Sequence, residues 1–145
     1  MTALDRALEK MHREVGGVLN RLASAAEEVA IIAAPKISAL VQQEFATGRD
    51  PYGSPWAPLR PSTLRKHGPP PLTDRGLMRG TTSVRPIGKG RPGLVIRYPF
   101  PGVYHQAGTR RMAARHVLPY RGIPRMWADI LRRASVQAVR EAKNR

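Results

Sequence analysis

The residues best suited by type to acid–base or metal chemistry are four histidines, His12, His67, His105 and His116. None has a second histidine at i, i+4, the spacing that sets two imidazoles on one helix face to hold zinc. Carboxylates, which hold cations or work as acid–base pairs, thin out along the chain, and beyond residue 50 only Asp74, Asp129 and Glu141 remain. The six serines stand in no Gly-x-Ser-x-Gly elbow, and cysteine is absent, which removes thiolate nucleophiles, disulfides and cysteine-bound metals. The run Gly88-Lys89-Gly90-Arg91-Pro92-Gly93 is basic and flexible but lacks the spacing of a phosphate loop. The sequence therefore predicts no catalytic residue, no metal and no cofactor: a chain that is not an enzyme.

Charge is the stronger signal. Residues 1–50 hold six basic and seven acidic groups, whereas residues 51–145 hold 19 and three, so the whole formal charge of +15 sits in the second part. From Arg75 to Arg125 there are eleven Arg and Lys and no Asp or Glu. A stretch without acids to neutralise it points to a polyanionic partner. The charges fall on expected strands and loops, not on one face of a recognition helix, which disfavours base-specific reading. Tyr98, Phe100, Tyr104 and Tyr120 are interleaved with them, but Pro99 and Pro101 around Phe100 read as a structural turn instead of a stacking ladder. Contact with a nucleic-acid backbone needs only the field.

These residues must be positioned by few elements. Leu4, Leu8, Met11, Val15, Val18, Leu22, Ala25, Val29 and Ile32 recur in steps of four and three, the stripe of an amphipathic helix about 42 Å long. A small domain does not cover that length alone, so part of the stripe is expected to meet a neighbouring subunit. Gly16 and Gly17 inside the stripe argue for a packed surface helix over a long coiled coil. Pro35 is expected to end or kink this helix, with Ile37, Leu40, Val41 and Phe45 on a further short helical stretch that Gly48 stops.

A helical arm over 1–46 is then followed by an extended, proline-rich loop over 47–72, anchored by Trp56 and Leu59, whose proline density excludes regular helix. The β-hairpin region is 73–121, with strands expected at Leu77–Ile87 and Gly93–Tyr98. A C-terminal helix within 122–145 runs from about Pro124 to Lys143. The fold class is α+β in one domain of 145 residues, with a small antiparallel sheet. No stretch is apolar enough for a membrane span, and Asp5, Arg6, Glu9 and Lys10 stand where a signal peptide would be apolar, so a cytoplasmic site of synthesis and no membrane partner are expected.

The order Phe45, Gly48, Asp50-Pro51, Gly53, Trp56, Leu59, Thr63-Leu64 resembles the signature of the virion-morphogenesis, or tail-completion, family of Mu-like and related tailed phages. It continues with Leu72, Asp74, Gly76 and Met78, then with His105-Gln106-Ala107-Gly108, and Arg115 and Pro119 fall in the place of the closing arginine-containing segment. Arg75 and Pro101 depart from the Thr or Ser and the Tyr usual at those places. The resemblance covers residues 45–120.

It implies a structural virion protein: a ring-forming subunit, hexameric by analogy, that terminates or completes the tail at the head–tail junction. Its partners would be other copies of itself, tail-tube and head-connector or stopper proteins, and genomic DNA passing through the lumen. It would reside in the virion neck after assembly in the host cytoplasm. Arg79, Arg85, Lys89, Arg91 and Arg97 are the candidate lining of the DNA channel. The motif residues Asp50, Pro51, Gly53, Trp56, Gly76, His105, Gln106, Gly108 and Arg115 are expected to shape the subunit, since turns, caps and an indole anchor need no catalysis. The alternative, from another class, is a free, non-specific nucleic-acid-binding protein.

Overall fold

The computed structural model describes residues 2–68, 71–72 and 76–144. Its elements are α1 (Ala3–Thr47), α2 (Pro61–His67), α3 (Leu77–Thr81), β1 (Ser83–Gly88), β2 (Arg91–Arg97), α4 (Gly102–Ala107) and α5 (Arg125–Lys143). The fold is α+β: a long N-terminal helix, a two-stranded antiparallel sheet and a C-terminal helix. Pro69, Pro70, Asp74 and Arg75, assigned above to the loop and to the family motif, lie outside the described residues.

Helix α1 starts in a reciprocal cap, in which the Thr2 hydroxyl accepts from the Asp5 amide at 3.2 Å and the Asp5 carboxylate accepts from the Thr2 amide at 2.7 Å. Gly48 closes it in the left-handed region at φ 66°, its N–H reaching the Glu44 carbonyl at 2.8 Å. Pro35 neither ends nor visibly divides it: the expected break is corrected to one continuous helix of 45 residues. Proline withholds one helical hydrogen bond and costs about 3 kcal/mol in a helix interior. Here its ring is exposed, while Ala30, Ala33 and Ala34 before it and Ile37, Val41 and Phe45 after it are buried, so tertiary packing on both sides carries the helix through.

The core is one cluster of Ala33, Ile37, Val41, Phe45, Trp56, Met78, Val84, Val117, Trp127 and Ala134. It rests on the second half of α1 only. Helix α5 lies against this half through Trp127, Ala134 and Ala138, with Pro124 buried at its N-cap. Strands β1 and β2 lie along α1 as well. Gln42 Nε2 donates to the Arg79 and Thr82 carbonyls, at 3.0 and 3.4 Å, at the base of the hairpin. At its tip the Gly90 amide donates to the Glu27 carboxylate at 3.0 Å. N-terminal to this tip the helix is an arm: Leu4, Leu8, Met11, Val15, Val18 and Leu22 retain 43–69% of their surface.

Two further expectations are corrected. The proline-rich loop of 47–72 contains helix α2, because Pro61 sits at its first position, where a missing amide leaves no bond unmade. The first strand does not begin at Leu77: Leu77–Thr81 is a short helix entered from Gly76 at φ 66°. The Thr81 and Thr82 hydroxyls return hydrogen bonds of 2.7 Å to the Leu77 and Met78 carbonyls, a local alternative to a ladder. The hairpin region of 73–121 likewise holds α4 after the sheet.

Candidate functional site

Strand alternation decides which basic residues share a surface. The register pairs Ser83 with Arg97, Val84 with Ile96, Arg85 with Val95 and Pro86 with Leu94. Val84, Leu94 and Ile96 turn inward to the core, so Arg85 and Arg97 share the outer face, whereas Arg91 lies beyond a register shift and pairs with Gly88. Lys89 occupies the turn at the tip, and Arg79 lies apart on α3, its Nε donating to Gln42 Oε1 at 3.1 Å. All five are exposed. The ion pairs among the described residues are Lys10–Glu14 and Arg132–Asp129, neither of which involves the five. The structure thus groups Arg85 and Arg97, sets Lys89 and Arg91 at the tip of the hairpin and leaves Arg79 at the base.

The motif residues build a clasp between the proline-rich loop and the segment after the hairpin. Asp50 Oδ1 accepts from the Tyr52 and Ser54 amides at 2.9 and 2.8 Å, and Gly53, at φ 90°, closes the turn with its amide on the Asp50 carbonyl. Pro51 is buried beside it. The turn delivers Trp56 into the core, edge-on to Phe45 at 5.8 Å. Across the clasp, the buried Arg115 donates through Nε to the Ala57 carbonyl at 2.8 Å and through a terminal nitrogen to Pro58 at 3.0 Å. Gln106 accepts from the Val117 and Leu118 amides at 3.0 Å and donates to the Leu118 carbonyl at 2.8 Å. Gly108 ends α4 at φ 74°, where a Cβ would come within 3.0 Å of the Ala114 nitrogen. His105 accepts the Arg115 amide on its backbone carbonyl at 2.7 Å, and its Nδ1 is buried without a partner. Burial, and then the Arg115 guanidinium, hold its imidazole below the ordinary histidine value.

Several residues of consequence escaped the sequence reading. Tyr52 Oη donates to the Gly122 carbonyl at 2.6 Å and accepts from the Tyr120 and Arg121 amides, with the Arg121 guanidinium 4.7 Å from its ring centre. Glu44 is buried with Oε2 unpartnered, and burial followed by the Asp50 carboxylate pushes its carboxyl up to about 9. Tyr98, also buried at its hydroxyl without a partner, is pushed up to about 12 by burial and by Glu44. The signal for Glu44 was its place on the apolar face of α1, three residues after Val41. Nothing in the loop spacing announced Tyr52.

A cleft of about 1000 Å³ opens between the loop and the segment after α4. Leu59, Leu72, Leu77, Met78 and Met112 provide its apolar lining, and Arg60, Arg110, Arg111 and Arg115 its charge, with no carboxylate among the described lining residues. No group of three or more His, Asp or Glu that would hold a metal ion occurs among the described residues, nor does a helix long and apolar enough to cross a membrane. The arrangement is suited to binding anionic, partly apolar surfaces. No protein-family model, curated protein or solved structure matches the chain.

Proposed function

We propose that the chain is a structural subunit of a ring at the head–tail junction of a tailed phage, a tail-terminator or tail-completion protein that caps the tail and joins it to the head connector around the DNA channel. The observation that carries this reading is the arm of α1, which projects an apolar stripe from Leu4 to Leu22 that the described residues leave uncovered. A contiguous apolar surface of that size on one subunit marks a protein interface. The clasp residues that resemble the tail-completion signature serve to shape the subunit, in keeping with an assembly role. Hexameric closure follows from the resemblance, as do the tail-tube and connector partners and the virion neck as final location.

Six copies would bring together a formal charge of +90. DNA in the lumen is the counter-charge that such a ring would hold, and the hairpin, with Arg85 and Arg97 on its outer face and Lys89 and Arg91 at its tip, is the surface to set against it. Electron cryomicroscopy of virions, locating the chain and counting its copies, tests the reading. A closed ring at the neck with the hairpin inward is expected; absence from the virion overturns it. The exposed arginine face also favours a second reading, a free non-specific nucleic-acid-binding protein. That reading expects tight, steeply salt-dependent DNA binding by monomers or dimers without rings.

A further inference from the structure

The seam of the α1 arm is regular enough to identify what covers it. Leu4, Leu8, Met11, Val15, Val18 and Leu22 follow steps of 4, 3, 4, 3 and 4, a spacing that reads the same from either end. A second arm laid antiparallel therefore meets the first layer for layer, Leu4 with Leu22, Leu8 with Val18 and Met11 with Val15. The inner layers each set a long side chain against a valine. With Leu19 beside them, these side chains expose roughly 700 Å² on one copy, close to the about 800 Å² that each partner buries in a stable interface.

Charge selects the same occupant. Residues 1–28 hold four basic and five acidic groups, a net charge of −1, whereas residues 29–145 carry +16. A polyanion or an anionic lipid surface finds no field on the arm to draw it there. Two bodies repel each other, and two arms do not: Glu14, which flanks the centre of the seam, is paired with Lys10 of its own chain at 3.9 Å.

The fold then decides the direction. The stripe runs on into the core, where Val29 and Ile32 pack, and the Gly90 amide ties the hairpin tip to Glu27 at 3.0 Å. Each body thus stands on the seam side of its own helix from Glu27 onward. Arms in parallel would bring both bodies to one level between the helices, where they collide and their charges add. Antiparallel, the helix of the second copy starts at its Thr2 cap opposite Ser24, just short of the body. The two bodies then begin about 40 Å apart, several Debye lengths at physiological salt.

We infer that in the free protein two copies pair through their α1 arms, antiparallel, with Leu4 of each against Leu22 of the other. A two-fold contact closes at two copies, so the pairing goes beyond the ring proposal and does not depend on it.

The chain has no cysteine, so introduced thiols report the register without background. Leu4→Cys and Leu22→Cys are made separately, mixed and mildly oxidised, with Arg13→Cys, on the opposite face of the arm by helical periodicity, as control. Mixed disulfide several-fold above either homodimer is expected. Predominant homodimer of either variant, meaning parallel arms, overturns the inference, as does equal cross-linking of Leu22→Cys to Arg13→Cys. Sedimentation velocity of the unmodified chain at micromolar concentration should give a dimer. Val15→Asp, which sets carboxylates in the central layers, should give a monomer with the body's near-ultraviolet circular dichroism intact, because Val15 lies outside the core. An unmodified chain that is monomeric, or a Val15→Asp chain that stays dimeric, overturns the pairing. A hexamer without mixed disulfide overturns the pairing and leaves the ring standing. A dimer with mixed disulfide supports the pairing, whatever virion microscopy shows of the ring.

Discussion

The indole Nε1 of Trp56 donates to the backbone carbonyl of His116 at 2.8 Å across 60 residues of chain, while its ring meets Phe45 edge-on. One side chain thereby ties the proline-rich loop both to the end of α1 and to the segment after the hairpin. Arg115, next to His116, returns two bonds to Ala57 and Pro58, next to Trp56.

Trp56→Ala should cost about 3–5 kcal/mol of stability, since it opens a cavity beside Phe45 and leaves the His116 carbonyl without its donor. Trp56→Phe keeps most of the buried area and loses the hydrogen bond, at a cost of about 1–2 kcal/mol. Urea denaturation at neutral pH separates the two.

Glu44 should make the protein less stable as pH rises. Its carboxyl has a folded-state pKa of about 9 against an ordinary value of 4.5, so between those values the folded state holds a proton that the unfolded chain has released. Stability from this group is complete below pH 4.5 and falls through the window by at most about 1.4 kcal/mol per pH unit. Glu44→Gln removes the titration: melting temperatures of variant and wild type should agree near pH 4 and diverge toward pH 8, with the variant the more stable.

Replacing Arg85 and Arg97 together by Ala should leave the circular dichroism spectrum unchanged, because both side chains are exposed on the outer face of the hairpin. Affinity for duplex DNA should drop, and the slope of log K against log salt should become shallower by about 0.9 for each phosphate that these arginines no longer neutralise. An unchanged slope would place the DNA-binding surface elsewhere, for which α5, with exposed Arg132, Arg133 and Arg140, is the next to test.

Gly102 is buried under the Tyr98 ring, and a Cβ there would overlap it. Gly102→Ala should cost about 1–3 kcal/mol by forcing the ring aside. Tyr98→Leu in the same chain makes room, so a double-mutant cycle should show a favourable coupling between the two positions.

The sequence by itself determined the helices at both ends and the existence of the hairpin, because each is written in local terms. The four-three stripe from Leu4, the glycine stop at Gly48 and the alternation of Leu94 and Ile96 with Val95 act within a few residues of themselves. The Asp50-Pro51-x-Gly53 turn is equally local, one carboxylate accepting from amides two and four residues on. The charge asymmetry was also legible, since net charge needs no fold.

What only the tertiary structure decided are the outcomes in which distant packing outweighs a local preference. Pro35 disfavours helix by about 3 kcal/mol, and the buried residues on either side of it overrule that, making α1 one rod and its first half a free arm. Leu77–Thr81 left the strand for a helical turn whose Met78 is buried in the core and whose Arg79 carbonyl accepts from Gln42, 37 residues away. The partners of Arg115, Gln106 and Trp56 lie 11 to 60 residues away, and the outward grouping of Arg85 and Arg97 without Arg91 depends on register. Spacing along a chain carries no record of either, because both are set by which surfaces the folded core leaves facing one another.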